Sequence, residues 1–87
     1  MKIIKVGAMW CPACLITNKN LDKIEKEYNI EIENLDYDFD DVEVQKYNVG
    51  ETLPVLIFMD GDTELERLIG EKNYKEIEVV VKKYEKN

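Results

Sequence analysis

The stretch Met9-Trp10-Cys11-Pro12-Ala13-Cys14 decides how this chain is interpreted, because it carries both of its cysteines at a C-x-x-C spacing. Residues 2–6, just before it, mix β-branched residues with lysines and predict a strand. Residues 12–28 repeat apolar side chains every three or four positions, as an amphipathic helix does. The cysteines are therefore expected at a strand-to-helix junction, with Cys11 as N-cap and Pro12 as the first helical residue, where proline is favoured.

Strand and helix patterns alternate after this junction. Asn29 supplies a helix stop, and residues 30–35 then alternate strictly between apolar and polar, as in a half-buried strand. A helix between two strands indicates a crossover and a parallel pair. Residues 40–47 predict a short helix, with Asp40 or Asp41 as its N-cap. The side chains expected to be buried are Cys14, Leu15, Leu21, Ile24 and Tyr28 on the first helix, and Val42, Val44 and Tyr47 on the second.

The second half of the chain predicts a hairpin followed by a helix. Residues 53–59 form the most apolar run and predict the central strand. Asp60-Gly61, a pair favoured in tight hairpins, leads to residues 63–69 as the returning antiparallel strand. Asn73 with Glu76 three residues later is typical of a capping box and predicts a last helix. The buried face of that helix is expected to carry Ile77, Val80, Val81 and Tyr84.

Length and composition limit the architecture. The 87 residues are 45% hydrophobic and 36% charged, with four glycines and two prolines, as in a folded domain. We predict one α/β domain over residues 1–87, ordered β-α-β-(short α)-β-β-α, whose four-stranded mixed sheet is flanked by helices. No apolar run has the length of a membrane span, and the first residues lack a signal-peptide pattern. We therefore expect a cytoplasmic protein, and a monomer.

Charge and histidine content exclude several classes of function. The net charge of −7 disfavours nucleic acid and anionic membranes as partners. The absence of histidine excludes Cys-His and Ser-His nucleophile pairs and histidine-containing metal sites. The segment Asp36-x-Asp38-x-Asp40 copies the opening of a calcium loop, but Asp41 stands where glycine is required and Tyr47 where a glutamate closes the site. We expect a solvated strand end there, with no bound metal.

The two thiols carry the remaining candidate chemistry. Three residues apart in the first helical turn, Cys11 and Cys14 lie on one side of the helix, near enough to close a disulfide. Free N–H groups and the positive end of the helix dipole favour a thiolate at Cys11. A purely stabilising disulfide is disfavoured because the closed loop is minimal, and a zinc site lacks further cysteine or histidine ligands. The preferred interpretation is a nucleophilic, reversible dithiol.

Four sequence features together resemble a thioredoxin-fold oxidoreductase of glutaredoxin size. They are Trp10-Cys11-Pro12-Ala13-Cys14 after a strand, Leu53-Pro54 before the core strand, Asp60-Gly61 in the hairpin and Gly70 before the last helix. The resemblance covers nearly the whole chain. It implies a thiol-disulfide oxidoreductase in which Cys11 is the nucleophile and Cys14 the resolving residue, with no bound cofactor besides the redox-active Cys11–Cys14 disulfide. Protein disulfides are then the substrates, and a flavoprotein thioredoxin reductase is the electron donor.

The resemblance also implies where substrate binds. It places a cis peptide bond between Leu53 and Pro54 facing the dithiol, although from the residues alone the trans isomer is the commoner one. A cis turn leaves the Leu53 backbone free to pair with an extended substrate segment. Partial burial against the fold is the alternative role for Trp10. The substrate-binding residues implied are Trp10, Pro12, Ala13, Leu53, Pro54 and Gly70.

The sequence departs from the family pattern at two places. Many thioredoxins have a buried acid six residues before the first cysteine, and this chain has Lys5 there. Lys5 either directs its ammonium at the dithiol or extends to the surface, and we expect the surface. The second Gly and the Asp of the glutaredoxin glutathione site are missing after Gly70, where Glu71 disfavours anionic glutathione. A glutathione-dependent, glutaredoxin-like oxidoreductase and a redox-silent binding module remain as alternatives.

Overall fold

The computed structural model describes residues 1–85 and confirms the predicted element order. Within these residues four strands and three helices follow one another as β-α-β-α-β-β-α. Their bounds are β1 Lys2–Gly7, α1 Pro12–Tyr28, β2 Glu31–Asp36, α2 Asp41–Lys46, β3 Val55–Asp60, β4 Thr63–Ile69 and α3 Tyr74–Tyr84.

The strands form one mixed sheet in the order β2-β1-β3-β4. β1 is parallel to β2, as predicted, and antiparallel to β3, which is in turn antiparallel to β4. β1 and β3 are therefore interior strands, each paired on both sides. The loop from β1 into α1 leaves the sheet where Gly7 pairs with Asp36, at the edge where both parallel strands end. This edge of the sheet carries the two cysteines.

Two predicted strand starts are wrong by one or two residues, and β1, β2 and β3 each end one residue later than predicted. β2 begins at Glu31 and not at Ile30, whose buried side chain precedes the strand. β3 begins at Val55, so Leu53 and Pro54 lie outside it. Proline has no N–H to donate to a neighbouring strand, which favours a strand start after it.

The sheet is buried on both faces, because successive strand residues point to opposite sides. The neighbours Ile3 and Ile4 accordingly belong to different clusters. One cluster joins the sheet to α1 and α3 and contains Ile3, Leu21, Ile24, Ile30, Leu56, Phe58, Ile77, Val80 and Val81. The other includes the α2 side and contains Ile4, Val6, Ala8, Cys11, Cys14, Leu35, Val44, Leu53, Val55, Ile57 and Met59. Both cysteines are thus part of the hydrophobic core.

The predicted helix ends are confirmed, but some predicted buried positions are wrong. Asn29 ends α1 in the left-handed conformation, with φ of 54°, and Asn73 forms a complete capping box with Glu76 at the start of α3. Leu15 is 60% exposed, and Thr17 takes an inward position of α1, where its Oγ1 accepts the Lys72 N–H at 3.3 Å. The buried face of α1 follows Cys14, Thr17, Leu21 and Ile24.

The last two helices bury fewer side chains than their patterns predict. Val44 is buried, whereas Val42 is 66% exposed and Tyr47 is half-buried. On α3 the predicted Ile77, Val80 and Val81 are buried and Tyr84 is half-buried. Because α2 has only six residues, only a narrow face of it packs on the sheet, and Val42 lies outside that face.

The acidic segment after β2 forms an ordered turn. Asp36 Oδ1 accepts the N–H groups of Asp38 at 2.9 Å and Phe39 at 3.0 Å, and Asp40 Oδ2 accepts the Asp36 N–H at 2.7 Å. These carboxylates therefore bind backbone of their own turn. Across residues 1–85 no three acidic, cysteine or histidine side chains are grouped so as to hold a metal ion.

Within residues 1–85, no helix is both long enough and apolar enough to cross a membrane.

Candidate active site at the start of helix α1

The first turn of α1 holds both thiols. Cys11 is the N-cap residue in extended conformation, and Pro12 follows as the first helical residue, as predicted. The Cys14 N–H donates to Cys11 Sγ at 3.2 Å. Both cysteines are free thiols, exposed by 5% at Cys11 and 2% at Cys14. The backbone of the turn therefore supplies a hydrogen-bond donor to the Cys11 sulfur at the start of the helix.

Cys14 lies deeper and is harder to ionise. Burial raises the pKa of its thiol to about 11, and the Cys11 sulfur adds to the rise, whereas the Ala8 backbone and the Lys5 charge oppose it. A cysteine attacks a disulfide as the thiolate. The two sulfurs therefore differ in environment, since Cys11 Sγ accepts a helix N–H whereas the Cys14 thiol is buried with a raised pKa.

Lys5 is buried beside the thiols, so the expectation that it reaches the surface is wrong. Its residue exposure is 8%, and its Nζ donates to Asn18 Oδ1 on α1 at 2.6 Å. Burial lowers the pKa of its ammonium, while the charges of Cys14, Cys11, Asp22 and Asp36 act in the opposite direction. The physical reason is that β1 is an interior strand, paired with β2 and β3, and the side chain lies under α1.

Gly7 makes room for Lys5 and Cys14 to approach each other. A methyl group on Gly7 would lie 3.0 Å from Lys5 Cε, 3.2 Å from Lys5 Nζ and 3.2 Å from Cys14 Sγ. The ammonium and the thiol thus border the same point in space. These neighbours of Gly7 were not predictable from the sequence, because they depend on the path of the chain.

The loop before β3 packs into the hydrophobic cluster that contains both cysteines. The Leu53–Pro54 peptide bond is cis, Pro54 is fully buried, and Leu53 packs in the same cluster as Cys11 and Cys14. Gly70, with φ of 92°, donates its N–H to the Pro54 carbonyl at 2.8 Å. That φ lies in the region that favours glycine. The structure therefore connects three distant parts of the sequence through five residues, Cys11, Cys14, Leu53, Pro54 and Gly70.

An apolar rim surrounds the thiols. Trp10 is 61% exposed, and its Nε1 donates to Asp38 Oδ2 at 2.8 Å, so the indole is fixed at the surface. Pro12 is exposed, and Ala13 packs half-buried against the cysteine cluster. Met9 at 84% and Ile69 at 54% exposure extend the rim, next to Trp10 and Gly70. Met9 and Ile69 were not among the predicted substrate-binding residues, although they adjoin Trp10 and Gly70, which were.

The comparison with known families decides the identity of this arrangement. A family model described as Thioredoxin matches residues 1–83. The chain belongs to the thioredoxin family. It is accordingly a thioredoxin-like redox protein with the dithiol oxidoreductase character of that family, and protein disulfides are the substrates on which thioredoxins generally act.

Solved thioredoxins have the same fold. Thioredoxin-2 of the malaria parasite, described as a component of the parasite's protein secretion machinery, is 26% identical, with a TM-score of 0.87 over 94% of this chain and 81% of that one. Thioredoxin 1 of Thermosipho africanus is 25% identical, with a TM-score of 0.81 over 97% and 93% of the two chains. A mutant thioredoxin of Halobacterium salinarum is 15% identical, with a TM-score of 0.90 over 98% and 74%, and shows the fold alone. No curated protein sequence matches this chain significantly.

Proposed function

We propose that this thioredoxin-family protein reduces protein disulfides through Cys11 and Cys14. The observation that carries the proposal is the Cys14 N–H directed at Cys11 Sγ at the start of α1. A backbone donor and the helix dipole stabilise negative charge on that sulfur without histidine, metal or organic cofactor. Cys11 then attacks one sulfur of the substrate disulfide and forms a mixed disulfide, while the other substrate sulfur leaves as a thiolate.

Cys14 resolves the mixed disulfide. Its sulfur attacks Cys11 Sγ, the Cys11–Cys14 bond forms, and the second substrate sulfur leaves with the bonding electrons. The substrate departs as a dithiol and the protein is left oxidised. The burial of Cys14 supports this order, because the residue is 2% exposed, against 5% for Cys11 at the N-cap, and an external disulfide therefore reaches Cys11 more readily.

The rim supports an extended protein segment as the substrate. Leu53 packs in the same hydrophobic cluster as both thiols, and we infer that its backbone pairs with the substrate main chain, a mode that selects shape more than sequence. The exposed indole of Trp10 and the half-buried Ala13 and Gly70 supply apolar contacts on either side. A cytoplasmic location fits this direction of electron flow, because thiols are kept reduced there.

Replacement of the resolving cysteine is expected to trap the substrate. In Cys14→Ser, Cys11 still forms the mixed disulfide but nothing in the site releases it, so a covalent adduct accumulates. Incubation with a disulfide-bonded protein followed by non-reducing electrophoresis measures the adduct. Cys11→Ser is the matched control and is expected to form none. Normal turnover of protein disulfides by Cys14→Ser would remove Cys14 from the mechanism.

The electron donor is expected to be a flavoprotein thioredoxin reductase and not glutathione. The net charge of −7 and the exposed Glu71 beside Gly70 repel the anionic tripeptide, an effect of about tenfold or more on association. The oxidised protein is assayed with thioredoxin reductase and NADPH, and in parallel with glutathione and glutathione reductase. Glu71→Lys is expected to raise the glutathione rate several-fold. A faster reaction of the wild type with glutathione would favour a glutaredoxin-like activity.

A further inference from the structure

The two-thiol mechanism leaves the buried Lys5 without a role. Its residue is 8% exposed on an interior strand, and its ammonium is bound to Asn18 Oδ1 at 2.6 Å. A buried charge is destabilising unless it is paired and hydrogen-bonded, and an apolar residue of the same length would often serve the fold as well. A lysine here therefore points to a function, and the thiols are among the charged or ionisable groups acting on it.

The position of Lys5 connects it to Cys14 in particular. Lys5 Nζ and Cys14 Sγ each lie 3.2 Å from the same point above Gly7. Cys14 is also the thiol that is harder to ionise, because burial raises its pKa to about 11 and the Lys5 charge acts against that rise. The resolving step needs the Cys14 thiolate.

We propose that the Lys5 ammonium is a positioning residue that stabilises the Cys14 thiolate while Cys14 resolves the mixed disulfide. This inference rests on the proposed function and adds a third residue to it. Asn18 holds the ammonium in place through its side-chain carbonyl. Gly7 keeps the approach to Cys14 open, since any larger side chain would enter the same space.

The step balances without any further reactant. Cys14 loses its proton to solvent, and the resulting thiolate attacks Cys11 Sγ beside the Lys5 ammonium. The Cys11–Cys14 bond forms, the bond between Cys11 and the substrate sulfur breaks, and the substrate sulfur takes the electron pair and then a proton from solvent. An open cleft reaches Cys14 and is lined by Lys5, Gly7 and Asn18, which gives the proton a route to solvent.

Other charged groups near this pair bear on its pH dependence. Cys11 and Cys14 from the α1 turn, Asp22 from α1 and Asp36 from the end of β2 all act to keep Lys5 protonated against the effect of burial. Two more carboxylates border the clefts that Lys5 lines, Glu25 from α1 on one side and Asp40 on the other. This negative surround favours the ammonium at neutral pH, where the thiolate must form.

The test separates the two thiol steps in a single turnover. Reduced protein is mixed with a symmetrical aromatic disulfide whose released thiolate is coloured, in a stopped-flow instrument over a range of pH. The first release of coloured thiolate reports attack by Cys11, and the second reports resolution by Cys14. Cys14→Ser is expected to show the first release alone and so identifies the first phase. The variants are Lys5→Met, which removes the charge at similar length, and Lys5→Arg, which keeps it. Lys19→Met, an exposed lysine of α1, is the matched control.

Lys5→Met is expected to slow the second phase at neutral pH by about tenfold or more. An opposite charge within about 4–6 Å lowers the pKa of an acidic group by about one unit or more, and one pKa unit changes the thiolate fraction about tenfold. The pH midpoint of the second phase in this variant is expected to move upward, so that the rate of the second phase approaches the wild-type rate at alkaline pH. Lys5→Arg and Lys19→Met are expected to keep the wild-type profile of both phases, and in Lys5→Met the midpoint of the first phase is expected to move less than that of the second. A thermal unfolding midpoint no lower than that of the wild type shows that Lys5→Met is folded.

Two results overturn the inference. One is a second phase in Lys5→Met with the wild-type rate and pH midpoint, and the other is an equal slowing of both phases. If Lys5→Met does not fold, Asn18→Ala takes its place in the same measurement. The pH midpoint of its second phase is expected to move upward, and an unchanged midpoint would contradict the inference. Failure of the proposed function looks different, because the wild type itself then releases no coloured thiolate in either phase.

Discussion

Cys11→Ser is expected to reduce protein disulfides no faster than buffer while remaining fully folded. A serine hydroxyl is not ionised at neutral pH and does not attack a disulfide, so the first bond of the reaction never forms. The fold is expected to be retained, because serine is among the best N-cap residues. Its oxygen is expected to accept the Cys14 N–H that Cys11 Sγ accepts in the wild type. Turnover of a disulfide-bonded protein and thermal unfolding are measured on the same sample.

Cys11→Ala separates the two roles of this side chain. It removes the sulfur and the cap together, so it is expected to be equally inactive and less stable than Cys11→Ser by about 1 kcal/mol. Denaturant unfolding of the two variants gives the difference. Equal stability of Ser and Ala at this position would contradict a capping role for Cys11, and residual turnover in either variant would contradict its role as nucleophile.

Phe58→Ala is expected to remove about 3–5 kcal/mol from the free energy of unfolding, as buried aromatic residues do on truncation. Phe58 is 0% exposed on the interior strand β3 and packs in the cluster with α1 and α3. Domains of this kind are stable by only about 5–15 kcal/mol, so a large part of the margin is lost. Denaturant unfolding followed by far-ultraviolet circular dichroism measures the loss.

Phe39 gives the matched control for this substitution. It has the same side chain but is 79% exposed in the turn after β2. Phe39→Ala is expected to change the free energy of unfolding by no more than about 0.5 kcal/mol. If both variants lose similar amounts, the packing of Phe58 under α1 and α3 is not what stabilises the domain.

The element order was predictable because its signals are local. Asn29 ends α1, and Asn73 with Glu76 begins α3, each through bonds to neighbours within four residues. The placement of Cys11 at the N-cap before Pro12 follows from the same kind of signal. The parallel pairing of β1 with β2 was predictable for a related reason, since a helix that connects two strands favours parallel pairing between them.

The wrong predictions concern side chains whose burial is decided by tertiary contacts. Leu15 is more hydrophobic than Thr17, yet Thr17 is buried because the inward side of α1 passes through it and its hydroxyl finds the Lys72 N–H. Lys5 was expected at the surface because a single sequence does not show which strands will be interior. The cleft beside Cys14 likewise depends on Gly7, whose neighbours are set by the packing of α1 on β1.

Trp10 gives the molecule a built-in optical reporter. It is the chain's one tryptophan, it precedes the nucleophile directly, and its hydrogen bond to Asp38 fixes the indole at the rim. Excitation selective for indole therefore reports on this edge of the domain without background from the rest of the chain. We expect closure of the dithiol and docking of a partner to change the surroundings of that ring, and a fluorescence titration of the unlabelled protein measures the change.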